Sequence, residues 1–312
     1  MKRLFVFGCS YTVYSWPGWA DFLSCEYDQY ENWGIAGIGN RGISERIIEC
    51  HTKHKFTKDD TIIVQWSTHL RHDFFHQSGL LTERVPGWKT AGSLFNYLNQ
   101  SIYDRKWLET FFDEEAYFMH TLHYILMTQN LLENIGANWY MTSIGDVRNL
   151  GEDINVTPKE YGETSIFSKV KEQFTNKKEK YFGYKVTPDL KIYNTPIWED
   201  RADRWLEPIG TWIVKEYKDP FYEFFDNNET FLDYHPKPSL HKEWLVNCLI
   251  PKLNITPDID RYNRICEQSD ILHQKYIDNN KRDFEKVLFR TEFELPLWPN
   301  MIKGFLEFKD AK

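Results

Sequence analysis

Phe5-Val6-Phe7-Gly8-Cys9-Ser10-Tyr11-Thr12 is the stretch that decides the fold of this chain. An apolar run leads into a glycine, and a serine follows among residues that tolerate a tight turn. A strand that ends this way holds a hydroxyl at the carboxyl edge of a sheet, where open α/β folds place their chemistry. Arg3–Phe7 therefore reads as a first buried strand. Working outward, Thr61–Trp66 (TIIVQW) is apolar and β-branched and reads as a buried central strand. Asn138–Ser143 (NWYMTS) reads as the next one.

Helical segments separate these strands. Trp16-Pro17-Gly18-Trp19 is a turn, and Trp19–Ser24 begins a helix. Asn32–Asn40 is rich in Gly and Asn and reads as a loop. Ile43, Ile47 and Ile48 give Ile43–Cys50 helical spacing. Trp107–Gly136 is helical in period and ends at Gly136, a C-cap residue. Strand and helix alternate, which favours a mainly parallel sheet covered on both faces, a three-layer α/β/α sandwich.

The remaining segments are less regular. His69–Asp104 is an aromatic, glycine-containing loop, and Asp146–Pro220 carries a lysine-rich run with scattered Trp and Pro. We read residues 1–253 as one α/β domain with insertions at about 69–104 and 146–220. Phe221–Asp233 leads into a loop at His235, and Ser239–Leu253 forms a helix. Residues 254–312 form a mostly helical extension, helical over Ile259–Phe289 and apolar over Leu295–Phe308. It can pack on the core or join two copies into a homo-oligomer.

Composition narrows the classes. The chain has 312 residues, a net charge of −8 and 41% hydrophobic residues. The acidic balance argues against non-specific nucleic-acid binding and against anionic membranes. Residues 1–7 imitate the start of a signal peptide, but Ser10, Tyr11 and Thr12 interrupt the apolar run. No stretch is long enough to span a bilayer. The five cysteines are scattered and odd in number, which suits reduced thiols. These features give the expectation of a cytoplasmic protein. Aromatic residues make up 17% of the chain, enough to offer stacking surfaces for sugars as well as core filling.

Far from Ser10, Asp233-Tyr234-His235-Pro236 supplies an acid and an imidazole. A serine hydroxyl is nearly inert at neutral pH until a base takes its proton, so serine at one end and Asp/His at the other point to nucleophilic catalysis. Three segments together resemble the SGNH/GDSL hydrolases. Phe7-Gly8-Cys9-Ser10-Tyr11-Thr12 resembles the first block, with Cys9 in place of the usual Asp. Asn32-Trp33-Gly34-Ile35-Ala36-Gly37-Ile38-Gly39-Asn40 is similar to the second, and Asp233-Tyr234-His235-Pro236 to the last. The third block usually reads Gly-x-Asn-Asp; here Gln65-Trp66-Ser67-Thr68 occupies the place and holds no Asn. The last block is also one residue shorter than the usual Asp-x-x-His.

The resemblance covers roughly 1–143 and 221–253. It implies a flavodoxin-like sheet of about five strands and an esterase mechanism without cofactor or metal. Ser10 would be the nucleophile, His235 the base and Asp233 its orienting partner. Ser10 and Gly37 N–H groups would form the oxyanion hole, with the Ser67 hydroxyl, or Gln65 on a shifted alignment, standing in for the missing Asn. Candidate substrate contacts are Tyr11, Asn40, Trp66, Arg71 and Tyr234. The aromatic richness directs the expected substrate to an O-acetylated or otherwise O-acylated saccharide. An acyltransferase using the same site and a catalytically degenerate glycan-binding protein are the alternatives. His51, His54, His69, His72 and His76 form a histidine-rich neighbourhood, yet no zinc-site pattern accompanies them. Gly34-Ile35-Ala36-Gly37-Ile38-Gly39 lacks the lysine of a phosphate-binding loop.

Overall fold

The structure is a computed structural model that describes residues 2–14, 16–76, 87–93, 105–111, 114–145, 147, 193–226 and 229–278. Its centre is a four-stranded, all-parallel sheet in the order β2-β1-β3-β6. The strands are β1 (Arg3–Phe7), β2 (Gln29–Asn32), β3 (Asp60–Trp66) and β6 (Asn138–Ser143). β1 and β3 are nearly continuous apolar runs because both of their faces are covered; every β3 residue is buried. Register runs Arg3↔Gln29 and Arg3↔Asp60, and Thr61↔Asn138 carries it to β6. Arg3 fixes the start of that register with a two-pronged bond to Asp60, 2.6 Å on each prong.

Helices connect the strands. α1 (Trp19–Ser24) lies between β1 and β2, and α2 (Asn40–His54) between β2 and β3. α3 (Arg105–Phe111) and α4 (Glu114–Ile135) precede β6. α4 stops at Gly136, whose φ of 75° is the left-handed cap expected there. α2 packs on α4, while α1 packs on the later helix α6 (Pro238–Trp244). Right-handed crossovers from a central β1 send the two groups to opposite faces, an arrangement compatible with three layers.

Beyond β6 come a π turn (Thr195–Glu199), a 3₁₀ turn (Ala202–Arg204) and α5 (Ile209–Glu216). Trp205 makes an isolated parallel bridge to Met141, and Leu206 N–H donates to Met141 O at 2.8 Å. The chain thus touches the free edge of β6 for a single step. α6 continues through a π turn (Leu245–Leu249) into α7 (Ile250–Leu253), and α8 (Ile259–Asp278) follows. Among the described residues no helix is long and apolar enough to cross a membrane.

Three elements differ from the sequence expectation. β2 pairs with β1 on one edge only, so its sequence QYEN stays polar and hides its strand character. The expected loop at 69–104 contains a hairpin, β4 (Arg71–His76) with β5 (Gly87–Ser93). The expected loop at His235 is also a hairpin, β7 (Phe221–Asp226) with β8 (Glu229–Pro236). Most of the 146–220 insertion and all of 279–312, including the Leu295–Phe308 piece, lie outside the described residues.

Candidate functional site at the carboxyl edge of the sheet

All four central strands point the same way, so the turns that follow them gather at one edge. The turn after β1 carries Ser10. Thr12 and Val13 N–H both donate to Cys9 O, at 2.9 and 3.1 Å, and wind the chain tightly around the serine. Gly8 makes this possible. A Cβ there would stand 2.1 Å from Thr12 Oγ1 and 3.0 Å from the Gln65 backbone oxygen. Beneath the turn, Thr12 Oγ1 donates to Gln65 Oε1 at 2.7 Å, and Gln65 Nε2 faces Cys9 Sγ at 3.5 Å. Gln65 is fully buried and committed to this network, which removes it as an oxyanion donor.

The loop after β2 is laced to the same turn. Ile35 N–H donates to Gly8 O at 3.0 Å. Asn32 bridges the two loops, donating from Nδ2 to Thr12 O and accepting Gly34 N–H at Oδ1. Gly37 follows with φ 82°, a conformation that suits glycine. α2 then begins at Gly39 without a side-chain cap of its own. Asp73 of β4 supplies one, accepting the N–H groups of Gly39 and Gly42 at 2.8 and 2.9 Å. A carboxylate here satisfies orphan donors and opposes the helix dipole. Arg71 Nη1 donates to Ile38 O at 3.0 Å, so the guanidinium expected to clamp an anionic substrate braces the loop from below.

After β3, Asn40 grips Ser67 on both sides. Ser67 N–H donates to Asn40 Oδ1 at 2.7 Å, and Asn40 Nδ2 donates to Ser67 O and to Thr121 Oγ1. The amide expected to meet substrate is therefore spent on holding Ser67. The Ser67 hydroxyl is buried, and no partner satisfies it among the described residues. Trp66, also expected at the substrate, is 0% exposed and donates to Met141 Sδ, so it belongs to the core.

His235 reaches this edge from the β7–β8 hairpin. Phe221 pairs with Pro236 and Tyr222 with Asp233, so Tyr234 and His235 bulge out of the ladder. Bulges re-aim side chains, and they gather beside active sites. The His235 ring stacks on Tyr14 at 3.6 Å between centroids, and Tyr11 lies 5.8 Å away. Trp16 locks the approach by donating from Nε1 to Pro236 O at 2.8 Å. Thus the imidazole lies against residues one and four positions from Ser10. Ser10 itself is 6% exposed. The Asp233 and Tyr234 side chains lie outside the described residues.

A second imidazole stands behind the first. His241 sits in the opening turn of α6, not deep in that helix, because Pro238 starts the helix three residues earlier. It is 2% exposed, and its ring meets Tyr11 edge-on at 6.2 Å. Its Nδ1 has no partner among the described residues. Burial, helped by the nearby His235 charge, pushes its pKa down to about 3. His241 is therefore a neutral wall of the site. The sequence expectation for His241, a residue that packs rather than reacts, agrees with its burial, although it lies nearer the helix start than the two turns expected.

The other histidines disperse. His72 Nδ1 meets Tyr117 Oη at 2.7 Å, His69 packs edge-on to Phe118, and His51 Nδ1 accepts Phe56 N–H. Beside β6, a cleft is lined by Ser143, Val147, Trp198, Trp205, Glu207 and Pro208. Its two indoles are 6.1 Å apart, and Ser143 in its lining is the last residue of β6. The chain matches no family model and no curated protein.

Proposed function

We propose that this chain is a serine ester hydrolase of SGNH type, acting on O-acetylated or otherwise O-acylated saccharides. One observation carries the proposal: the Ser10 turn and the His235 ring, 225 positions apart in sequence, meet through Tyr11 and Tyr14 at the carboxyl edge of a parallel sheet.

In this reading Ser10 Oγ attacks the acyl carbon and its proton passes to His235. Negative charge develops on the carbonyl oxygen, where the N–H groups of Ser10 and Gly37 and the Ser67 hydroxyl would bind it. A preplaced donor of this kind is worth about 10²–10³ in rate. His235 returns the proton to the leaving sugar oxygen. Water, deprotonated by His235, then attacks the acyl-enzyme and frees Ser10 and a carboxylic acid. Asp233 would set the imidazole tautomer. Tyr11, Tyr14 and the Trp198–Trp205 cleft supply rings against which a sugar can stack.

The expected result is acetate release from a panel of acetylated glycans by the wild type, falling by at least about 10³-fold in Ser10→Ala. Absence of release together with cleavage of long acyl esters would overturn the saccharide assignment. The lack of an Asn in Gln65-Trp66-Ser67-Thr68 favours a second reading, a glycan-binding protein on the same scaffold; glycan affinity equal in wild type and Ser10→Ala, with no acetate released, identifies it.

A further inference from the structure

Away from the Ser10 edge, α2 ends in a different constellation. Cys50 and His54 are four residues apart on that helix and so share a face. Glu31 of β2 faces them, and the Cys50 Sγ, a His54 ring nitrogen and a Glu31 carboxylate oxygen all lie within 4.8 Å of one another. Cys50 is about 15 Å along α2 from Asn40, at 1.5 Å per residue, so this cluster is remote from Ser10.

The cluster is arranged around a point rather than as a pair. His54 Nε2 lies 3.0 Å from Glu31 Oε2, yet the buried nitrogen is misaligned for a hydrogen bond and finds no other partner among the described residues. A separation near 3 Å is that of two ligands on one small cation, each about 2 Å from it. Cys50 is fully buried below them, while His54 and Glu31 are 20% and 21% exposed and leave the outer side open. Supporting contacts are in place. Trp33 Nε1 donates to Glu31 Oε2 at 2.8 Å and orients the carboxylate, and Phe5 and Trp33 hold the His54 ring at 5.2 and 6.3 Å. Metal sites depend on such outer contacts to fix their ligands. The nearby Arg3 is neutralised by Asp60.

We propose that Glu31, Cys50 and His54 form a zinc site that ties the end of α2 to the edge strand β2. One thiolate, one carboxylate and one neutral imidazole balance a divalent charge, and a mixed S/N/O set suits zinc better than magnesium or calcium. Binding would release the Cys50 thiol proton to solvent and leave a fourth position for water. His51, committed to Phe56, stays outside the set.

The test is titration of the full chain, purified in chelator and then freed of it, with cobalt(II) as a spectroscopic stand-in for zinc. The expected result is a thiolate-to-cobalt charge-transfer band that saturates at one metal per chain and is displaced by zinc. Cys50→Ser should lose the band. Glu31→Gln, a milder change on a half-exposed side chain, should keep it but weaken binding by at least about tenfold, the low end of what loss of even an outer contact does. No band in the wild type, or a band that survives in Cys50→Ser at equal affinity, overturns the site; so does unchanged affinity in Glu31→Gln. Failure of Cys50→Ser to fold leaves the wild-type band and the Glu31→Gln affinity to decide.

Discussion

The two sides of the Ser10 site are built by opposite means. On the sheet side, buried hydrogen bonds weld the loops together: Thr12 to Gln65, Asn32 to Thr12, Asn40 to Ser67, and Asp73 to the start of α2. On the hairpin side, His235 stands on a two-stranded ribbon outside the central sheet, where its ring meets Tyr14, Trp16 donates to Pro236 O, and Tyr222 of β7 donates to Asp270 of α8. The position of Ser10 is thus set with the fold, since the bonds that place its turn are buried with the core. His235 lies against the Tyr14 and Tyr11 rings on a ribbon that is not hydrogen-bonded into the central sheet. His241 stands at the seam, against Tyr11 of one wall and beside His235 of the other.

That seam gives the largest expected effect. The His241 folded-state pKa lies near 3, below its ordinary 6.5. The unfolded chain therefore binds a proton that the folded chain refuses. Stability from this residue is fully present above pH 6.5 and is lost as pH falls from 6.5 toward 3. Urea unfolding should show the wild type losing on the order of a few kcal/mol more than His241→Phe across that window. Parallel pH profiles would contradict the neutral-wall reading and make the seam as soft as the hairpin.

Gly8→Ala probes the welded wall. The added methyl meets Thr12 and the Gln65 backbone, and the backbone cannot swing aside. Thermal or urea unfolding should report a loss of about 1–3 kcal/mol. Stability equal to wild type would mean that the β1 turn is looser than its bonds imply. Trp16→Phe probes the other wall by removing the bond to Pro236 while keeping a ring in place. Stability should fall by about 1–3 kcal/mol, from the lost bond and the space left by the smaller ring in the core. Acetate release should fall about tenfold, since misplacing a catalytic group costs rate before it costs fold. An acetate-release rate unchanged from wild type would erase the distinction between the walls.

The same contrast governs what could be read from sequence. β1, β3 and β6 announce themselves as apolar runs because parallel central strands are covered on both faces, and their bounds were read to within a residue. Ser10 was legible because a glycine and a small residue after such a run leave few conformations open. β2 was not, since an edge strand can stay polar. The first hairpin carries no short turn signal, while Asn227-Asn228 between the strands of the second is a weaker form of the Asn-Gly pair that marks two-residue turns. Asn40 and Arg71 looked like ligand-binding groups because their type and place along the chain fitted; only the loops' mutual packing shows that Ser67 and Ile38 take their hydrogen bonds. Trp66 follows the same logic, an aromatic at a strand end that turns inward.

The most direct test is fluorophosphonate labelling, with the adduct located by peptide mass spectrometry, in wild type, Ser10→Ala and His235→Ala. The account predicts a single adduct on Ser10, none in Ser10→Ala, and labelling slowed by at least about 100-fold in His235→Ala. An adduct on another residue, no adduct in the wild type, or an undiminished rate in His235→Ala would contradict it.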